Sequence, residues 1–408
     1  MSNSTDKPSR AAQLLRHLMP DSVRNLLAEE SEHDMTTSTR ALPLELVAEL
    51  PIVDAESVVV DAVADVGNAR TFALVAPIDG AKPIEVTMPS VRSLRGAFSY
   101  RLFAERGKPA GSWHALADDE HVLELGGVER FLGQLAAEHA PAASTGRGSD
   151  ERYSDGTVLD FVLVALARAL PRARKISARL ATVVPISLWE TIALSVEQSL
   201  KGRHSFRYNG RDVEVHISEV VVMREGEAAY LALSKRHGGR ELLLDGGGRT
   251  HNAALFAEGV YRTGVTIEIG LDTTLDDVDS ALIGKGLRAL TLAERLELLD
   301  AMNAKDPREY SIVVHGQRHR VDDVARKYFD TTARALVQEL HSRIKVDRAE
   351  HITYFGGAAY PTFFGRAVVE LLKRATIAPE LEQRPEAMNA YGALAKLTGI
   401  PRKVRKGK

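Results

Sequence analysis

From Ser57 onward the chain consists of short apolar runs broken by turn residues, and the spacing inside them switches between period two and helical spacing. Residues 58–65, 71–77 and 83–88 predict three successive strands, a meander ending in Thr87-Met88-Pro89-Ser90. Residues 159–170 are apolar at nearly every position and predict a buried helix. A strand over 179–186 and an amphipathic helix over 188–200 are expected next. An antiparallel pair follows, 204–208 with 213–223, turned at Asn209-Gly210. The plan then repeats. Strands are expected over 241–245, 250–257 and 264–269, then helices over 275–282 and 292–302 and a short strand over 312–314. A long helix over 321–344, a strand over 351–355 and a helix over 364–372 complete the series. Strand, hairpin, strand and helix laid out twice predict an α/β protein of two domains with a cleft between them.

Residues 1–50 stand apart. Leu14, Leu15 and Leu18, then Val23, Leu26 and Leu27, fall at helical spacing on either side of Pro20, and residues 31–39 are polar in the manner of a linker. This extension reads either as a partner-binding or assembly-control segment, or as a disordered leader with nascent helix. Residues 136–150, rich in Pro, Ser, Thr and Gly, read as a surface loop.

Two turns carry chemistry. The first is Asp65-Val66-Gly67-Asn68-Ala69-Arg70-Thr71, which follows an apolar run. The second is Asp245-Gly246-Gly247-Gly248-Arg249-Thr250-His251-Asn252, which follows Leu242-Leu243-Leu244. Glycine lets the backbone approach a ligand and point successive N–H groups at an anion. An aspartate beside such a nest repels a bare phosphate, so it fits where a hard cation such as Mg²⁺ lies between them. Read as chemistry rather than as ordinary turn residues, Asp65 and Asp245 are metal-side carboxylates. Gly67, Asn68, Arg70, Gly247, Gly248 and Thr250 then contact phosphate. Two such hairpins facing each other would grip a nucleotide's phosphate tail from both sides.

With these residues the chain resembles the superfamily of actin, sugar kinases and heat-shock chaperone ATPases. Asp65-Val66-Gly67 is similar to its first phosphate hairpin and Asp245 to Thr250 to its second. His351 to Pro361, with the pair Gly356-Gly357 and the adjoining Ala358, is similar to its adenosine-binding turn. Pro385 to Gly392 resembles the returning helix of bacterial actin-like plasmid-segregation proteins of the ParM type. The resemblance implies two actin-like (ribonuclease H-like) domains flanking a nucleotide cleft. Residues 51–235, completed by 385–400, would form one domain and 236–384 the other, with a basic tail at 401–408. It also implies ATP and Mg²⁺ as ligands, self-assembly into filaments, and a DNA-bound adaptor as partner. Members place Gln or Glu at the end of the strand that leads into the interdomain helix, to orient the attacking water. Glu225 fits that place and is read as catalytic with Asp245; Glu227 is the second choice.

Two departures stand out. Phe72 occupies the place where the resemblance calls for Lys at the end of the first hairpin, leaving Arg70 or Arg249 to supply the charge. Asn252 stands where the second hairpin often closes with Asp. They keep open a nucleotide-binding scaffold with weak or no hydrolysis; a small-molecule kinase of the same superfamily is a third reading.

Composition adds exclusions. A chain of 408 residues with 44% hydrophobic and 26% charged content suits a globular protein of more than one core. The net charge of −2 gives no global attraction to nucleic acid or membrane, so no direct sequence-specific nucleic-acid binding is expected. Without cysteine there is no disulfide, zinc–thiolate site or cysteine nucleophile. The start lacks a signal peptide's layout, which makes the cytoplasm the expected compartment. The basic tail reads either as a solvated end or as a contact for DNA, an acidic partner or anionic lipid. Gly284-Lys285-Gly286 lacks the spacing of a P-loop, and no histidine pair has zinc-protease spacing.

Overall fold

The computed structural model describes residues 57–68, 70–78, 81–93, 102–104, 106–109, 111–139, 151–304, 308–359, 362–382 and 384–399. The expected N-terminal extension, the basic tail and all but the start of the 136–150 loop lie outside the described residues. Gln134–His139 forms a helix, α1, so Ala136 is helical rather than loop.

Among the described residues nine strands make the first sheet. In chain order they are β1 (Ser57–Val66), β2 (Arg70–Pro77), β3 (Ile84–Pro89), β4 (Arg92–Ser93), β5 (Glu120–Leu125), β6 (Val128–Gly133), β7 (Lys175–Val184), β8 (Gly202–Tyr208) and β9 (Arg211–Arg224). Their order across the sheet is β3-β2-β1-β7-β9-β8-β5-β6-β4. The second sheet contains β10 (Arg240–Gly246), β11 (His251–Ala257), β12 (Val260–Ile267), β15 (His351–Phe355) and β16 (Glu380–Leu381), ordered β12-β11-β10-β15-β16. A separate hairpin pairs β13 (Ser311–Val314) with β14 (Gln317–Arg320). The first five strands of the large sheet and the whole second sheet share one plan. An antiparallel meander comes first, and parallel strands are then added beside its first strand. The echo expected from the sequence is thus an echo of topology.

Strand parity decides what each face holds. Val60, Ala62, Ala64 and Val66 of β1 join the core beneath the helix Thr157–Ala169 (α3, after the short α2, Glu151–Ser154). The alternate residue Val63 joins Phe72 and Leu74 under the returning helix Met388–Thr398 (here α10). Both faces of β1 are covered, so its sequence reads as a nearly continuous apolar run. In the second sheet, Leu242 and Leu244 face a core shared with the helices Leu271–Gly284 (α6), Leu292–Asn303 (α7), Asp322–Ile344 (α8) and Phe363–Ala375 (α9). Leu243 faces the other way, onto Ala229, Tyr230 and Leu233 at the helix Glu227–Ala232 (α5; α4 is Trp189–Leu200) and onto Met388 of α10. By the same parity Asp65 and Asp245 lie on the two faces that meet α5 and α10. Those helices touch closely, since a Cβ on Gly392 would overlap the Ala228 carbonyl.

The strands and helices expected from the pattern are present within a few residues of their expected ends. The Asn209-Gly210 turn has positive φ at both residues (45° and 78°), as a two-residue hairpin requires. The pattern gave no hint of β4, β5 and β6. Their burial relies on paired polar groups: Arg106 donates to Glu120 (2.8 Å), and His121 bonds Tyr208 (3.0 Å). Such pairing allows charged residues inside and erases the alternation that marks a strand. No helix among the described residues is long and apolar enough to cross a membrane.

Candidate functional site

Asp65 is the penultimate residue of β1, Asp245 the penultimate residue of β10, and Glu225 follows the last residue of β9. Gly226, with φ of 78°, turns the chain there into α5, and the Glu225 amide donates to the Val184 carbonyl (2.9 Å). A single asparagine holds the group together. The Asn389 amide of α10 donates to Asp245 (2.6 Å) and also bonds Asp65, while its oxygen accepts from the Gly226 amide (3.1 Å).

Burial, more than any other factor, pushes the Asp65 carboxyl up to about 6, with Arg152 and Asn389 opposing it. Asp245 is pushed up to about 7, by burial and then by the charge of Asp65. Glu225 lies well above the ordinary carboxylate range through burial and the charges of Asp245 and Asp65. Three carboxylates this close repel each other, and a divalent cation is the natural relief. The oxygen-only donors of Asp65 and Asp245 suit Mg²⁺.

Glu225 accepts a hydrogen bond from the Asn252 side-chain amide. The Asn252 oxygen in turn accepts from the Ile186 amide (3.1 Å) and the Thr266 hydroxyl (2.6 Å). An aspartate at 252 has no donor to offer Glu225 and would add a fourth negative charge, so the departure at this position matches its neighbour. Glu227, the second choice, instead pairs with Arg224 (3.0 Å).

The glycines divide by what surrounds them. A Cβ on Gly67 would lie 2.7 Å from the Arg70 carbonyl, so the first turn itself requires glycine. A Cβ on Gly247 would lie 3.0 Å from the Thr250 carbonyl, to which the Gly247 amide already donates (2.8 Å). The Gly247 and Gly248 carbonyls accept from the first amides of α6 (3.4 and 2.5 Å). Thr250 is buried at the end of this turn. Gly356, φ 93°, would put a Cβ against the Asp245 carboxylate and 2.5 Å from the Gly246 carbonyl. Gly357 is exposed, with nothing within 4 Å of a Cβ. Ala358 is fully buried in the second core, and its amide donates to Gly246 (2.8 Å), so both its amide and its methyl are occupied within the protein.

The cations differ from expectation. Arg70 is exposed at the start of β2, and Arg249 pairs with Asp276 (3.4 Å). A third cation, Arg152 of α2, is 3% exposed and donates to the Asn68 side-chain oxygen (2.8 Å) and to the Tyr153 hydroxyl (2.6 Å). Burial works against its charge, but Tyr153, Glu225 and Asp65 hold its pKa above the ordinary arginine value. Sequence reasoning missed Arg152 and Asn389. Asn389 had a signal, a polar residue at a helical position otherwise occupied by buried Met388, Ala390 and Ala393. Arg152 had none.

A second cluster lies at the start of β15. The His237 and His351 rings stack at 3.9 Å, and His237 Nε2 is 3.0 Å from the Glu380 carboxylate. Two imidazoles and a carboxylate could take a transition metal, but the stack and the hydrogen bond already satisfy these groups.

The family model described as the N-terminal domain of actin-like proteins matches residues 64–227, from the first hairpin to the start of α5. A search by sequence against curated proteins finds no match. Among solved structures, the archaeal actin homolog Ta0583 is 14% identical, with a TM-score of 0.64 over 83% of this chain and 99% of its own. Actin-like protein Alp7A is 14% identical, with a TM-score of 0.63 over 84% and 97%. Bacillus thuringiensis ParM with ATP is 14% identical, with a TM-score of 0.57 over 83% and 98%. The two-domain fold is therefore the actin-like one, shared with these structures over 83–84% of the chain.

Proposed function

We propose that the chain binds Mg-ATP between its two actin-like domains, hydrolyses it and polymerises with copies of itself, in the cytoplasm, to segregate plasmid DNA through a DNA-bound adaptor. In this reading residues 51–235 with 385–400 form one domain and 236–384 the other. The observation that carries it is the convergence of Asp65, Asp245 and Glu225 from three strand ends onto one site, Asp245 buried and Asp65 and Glu225 half-buried, that also holds Arg152.

Asp65 and Asp245 would hold Mg²⁺ through oxygen ligands, while the Thr250 hydroxyl and the turn amides not already used within the turns, as that of Gly247 is by the Thr250 carbonyl, would receive the phosphates. Gly356 and Gly357 border the nucleoside. Glu225 orients the attacking water and accepts its proton, and a carboxylate made more basic by burial and by its neighbours' charges suits that role. Asn252 fixes the rotamer of Glu225. Bacillus thuringiensis ParM was solved with ATP and Ta0583 with ADP, and both support nucleotide in this cleft. Filament formation rests on likeness to these actin homologues.

Sedimentation and phosphate release with ATP, ADP or no nucleotide test the reading. Pelleting with ATP is expected. Glu225→Ala should bind ATP, release phosphate about 10²–10⁴-fold more slowly and pellet more, because the ATP state persists. Binding with neither pelleting nor phosphate release would make the chain a scaffold instead. Phosphorylation of a small molecule would make it a kinase.

A further inference from the structure

We infer that Arg152 is this chain's phosphate-contacting cation, relocated from the first hairpin to the helix behind it; the inference rests on the nucleotide reading above. Position 72 is the direct cross-strand partner of Asp65, so its side chain shares the face on which Asp65 lies. Phe72 cannot supply charge there. It is buried among Val63, Leu74 and the alanines of α10, with the Arg384 guanidinium 5.9 Å from its ring centroid. Arg384 is itself committed to Glu85 (2.7 and 2.8 Å).

Arg152 comes from the other side of the same turn. Its Nη1 donates to Asn68, the residue after Gly67, so the guanidinium is tied to the first hairpin. Its short helix is anchored in turn, because Arg92 binds Asp155 just beyond α2 and Asp160 within α3 (2.8 Å to Asp160). Among the described residues no carboxylate comes within ion-pair distance of Arg152, and its Nε is buried without a hydrogen-bond partner. Both of its hydrogen-bond partners are neutral, the carboxylates of Glu225 and Asp65 act on it only from beyond ion-pair distance, and a buried N–H without an acceptor is costly. A phosphate oxygen would supply the missing acceptor and a direct charge partner, and the planar fork of arginine suits bidentate contact. The ligand class is a nucleoside di- or triphosphate, read through its phosphates.

Binding of Mg-ATP, Mg-ADP and adenosine to the full-length chain, with Arg152→Met and Arg152→Lys beside the parent, tests the role. Arg152→Met should weaken ATP and ADP by about 10–100-fold, the worth of a charge-assisted contact, and leave adenosine unchanged. Arg152→Lys keeps the charge without the fork and should fall between the two. If Arg152→Met does not fold, the lysine variant still has to lose affinity for ATP but not for adenosine. Unchanged ATP binding in both variants would overturn the inference, as would an equal loss for ATP and adenosine, which marks a merely structural residue. A parent that binds neither ATP nor adenosine would bring down the nucleotide reading itself, and the inference with it.

Discussion

The two hairpins are alike in topology and unlike in support. Each aspartate is the penultimate residue of the first strand of an antiparallel meander and faces α5 and α10. The first turn is closed by its own backbone at Gly67 and tethered by one side-chain contact, Asn68 to Arg152. The second is built into its domain by backbone: Gly246 accepts from Ala358, and the Gly247 and Gly248 carbonyls accept from α6. Two turns that look equivalent in sequence thus differ in what supports them. The first borrows a cation from a distant helix, and the second is fixed in place by neighbouring main chain.

The largest effect should come from breaking the backbone support of the second hairpin. Gly356→Val puts a β-branched residue at φ 93° and drives its Cβ into Asp245 and Gly246. A loss of about 2–6 kcal/mol is expected, read as a lower midpoint of chemical denaturation. Gly357→Val, one residue on, meets open space and should leave stability within about 1 kcal/mol. It should still weaken nucleotide binding, since the new side chain projects where the nucleoside is placed. Equal stability of the two variants would remove the asymmetry between Gly356 and its neighbour.

A smaller effect, spread over both hairpins, is pH dependence. Asp65 and Asp245 have folded-state values raised to about 6 and about 7. Their favourable contribution is therefore complete below the ordinary aspartate range and is lost as pH rises through 6 to 7. Mg²⁺ binds the ionised pair and should offset that loss. Melting temperature in EDTA should fall between pH 5 and pH 8 more steeply in the parent than in Asp65→Asn/Asp245→Asn. Added Mg²⁺ should raise it at pH 8 and hardly at pH 5. A Mg²⁺ effect independent of pH would contradict the paired-carboxylate site.

What the sequence made legible follows from range. Asp65, Gly67, Asp245 and Gly247 belong to local turns, and turn chemistry is written within a few residues. Parity along an apolar strand could even place both aspartates on matching faces. Glu225 was legible because a strand end, a glycine and a helix start adjoin it. Arg152 was not, since it reaches Asn68 across 84 positions from a four-residue helix without periodicity. The match between Asn252 and Glu225 was hidden for a similar reason: two departures from a pattern look like defects until their partners are seen. Strands β5 and β6 were illegible because buried ion pairs replace apolar alternation there.

The most direct measurement is a calorimetric titration of ATP into the full-length chain in Mg²⁺ and in EDTA, repeated with Asp245→Ala. If the two hairpins grip one metal-bound nucleotide, the parent should bind one ATP per chain, tightly only with Mg²⁺. The variant should lose most of that difference, because the carboxylate no longer orders the ion. Mg-ATP affinity unchanged by Asp245→Ala, or no ATP binding by the parent in either buffer, would contradict the assignment.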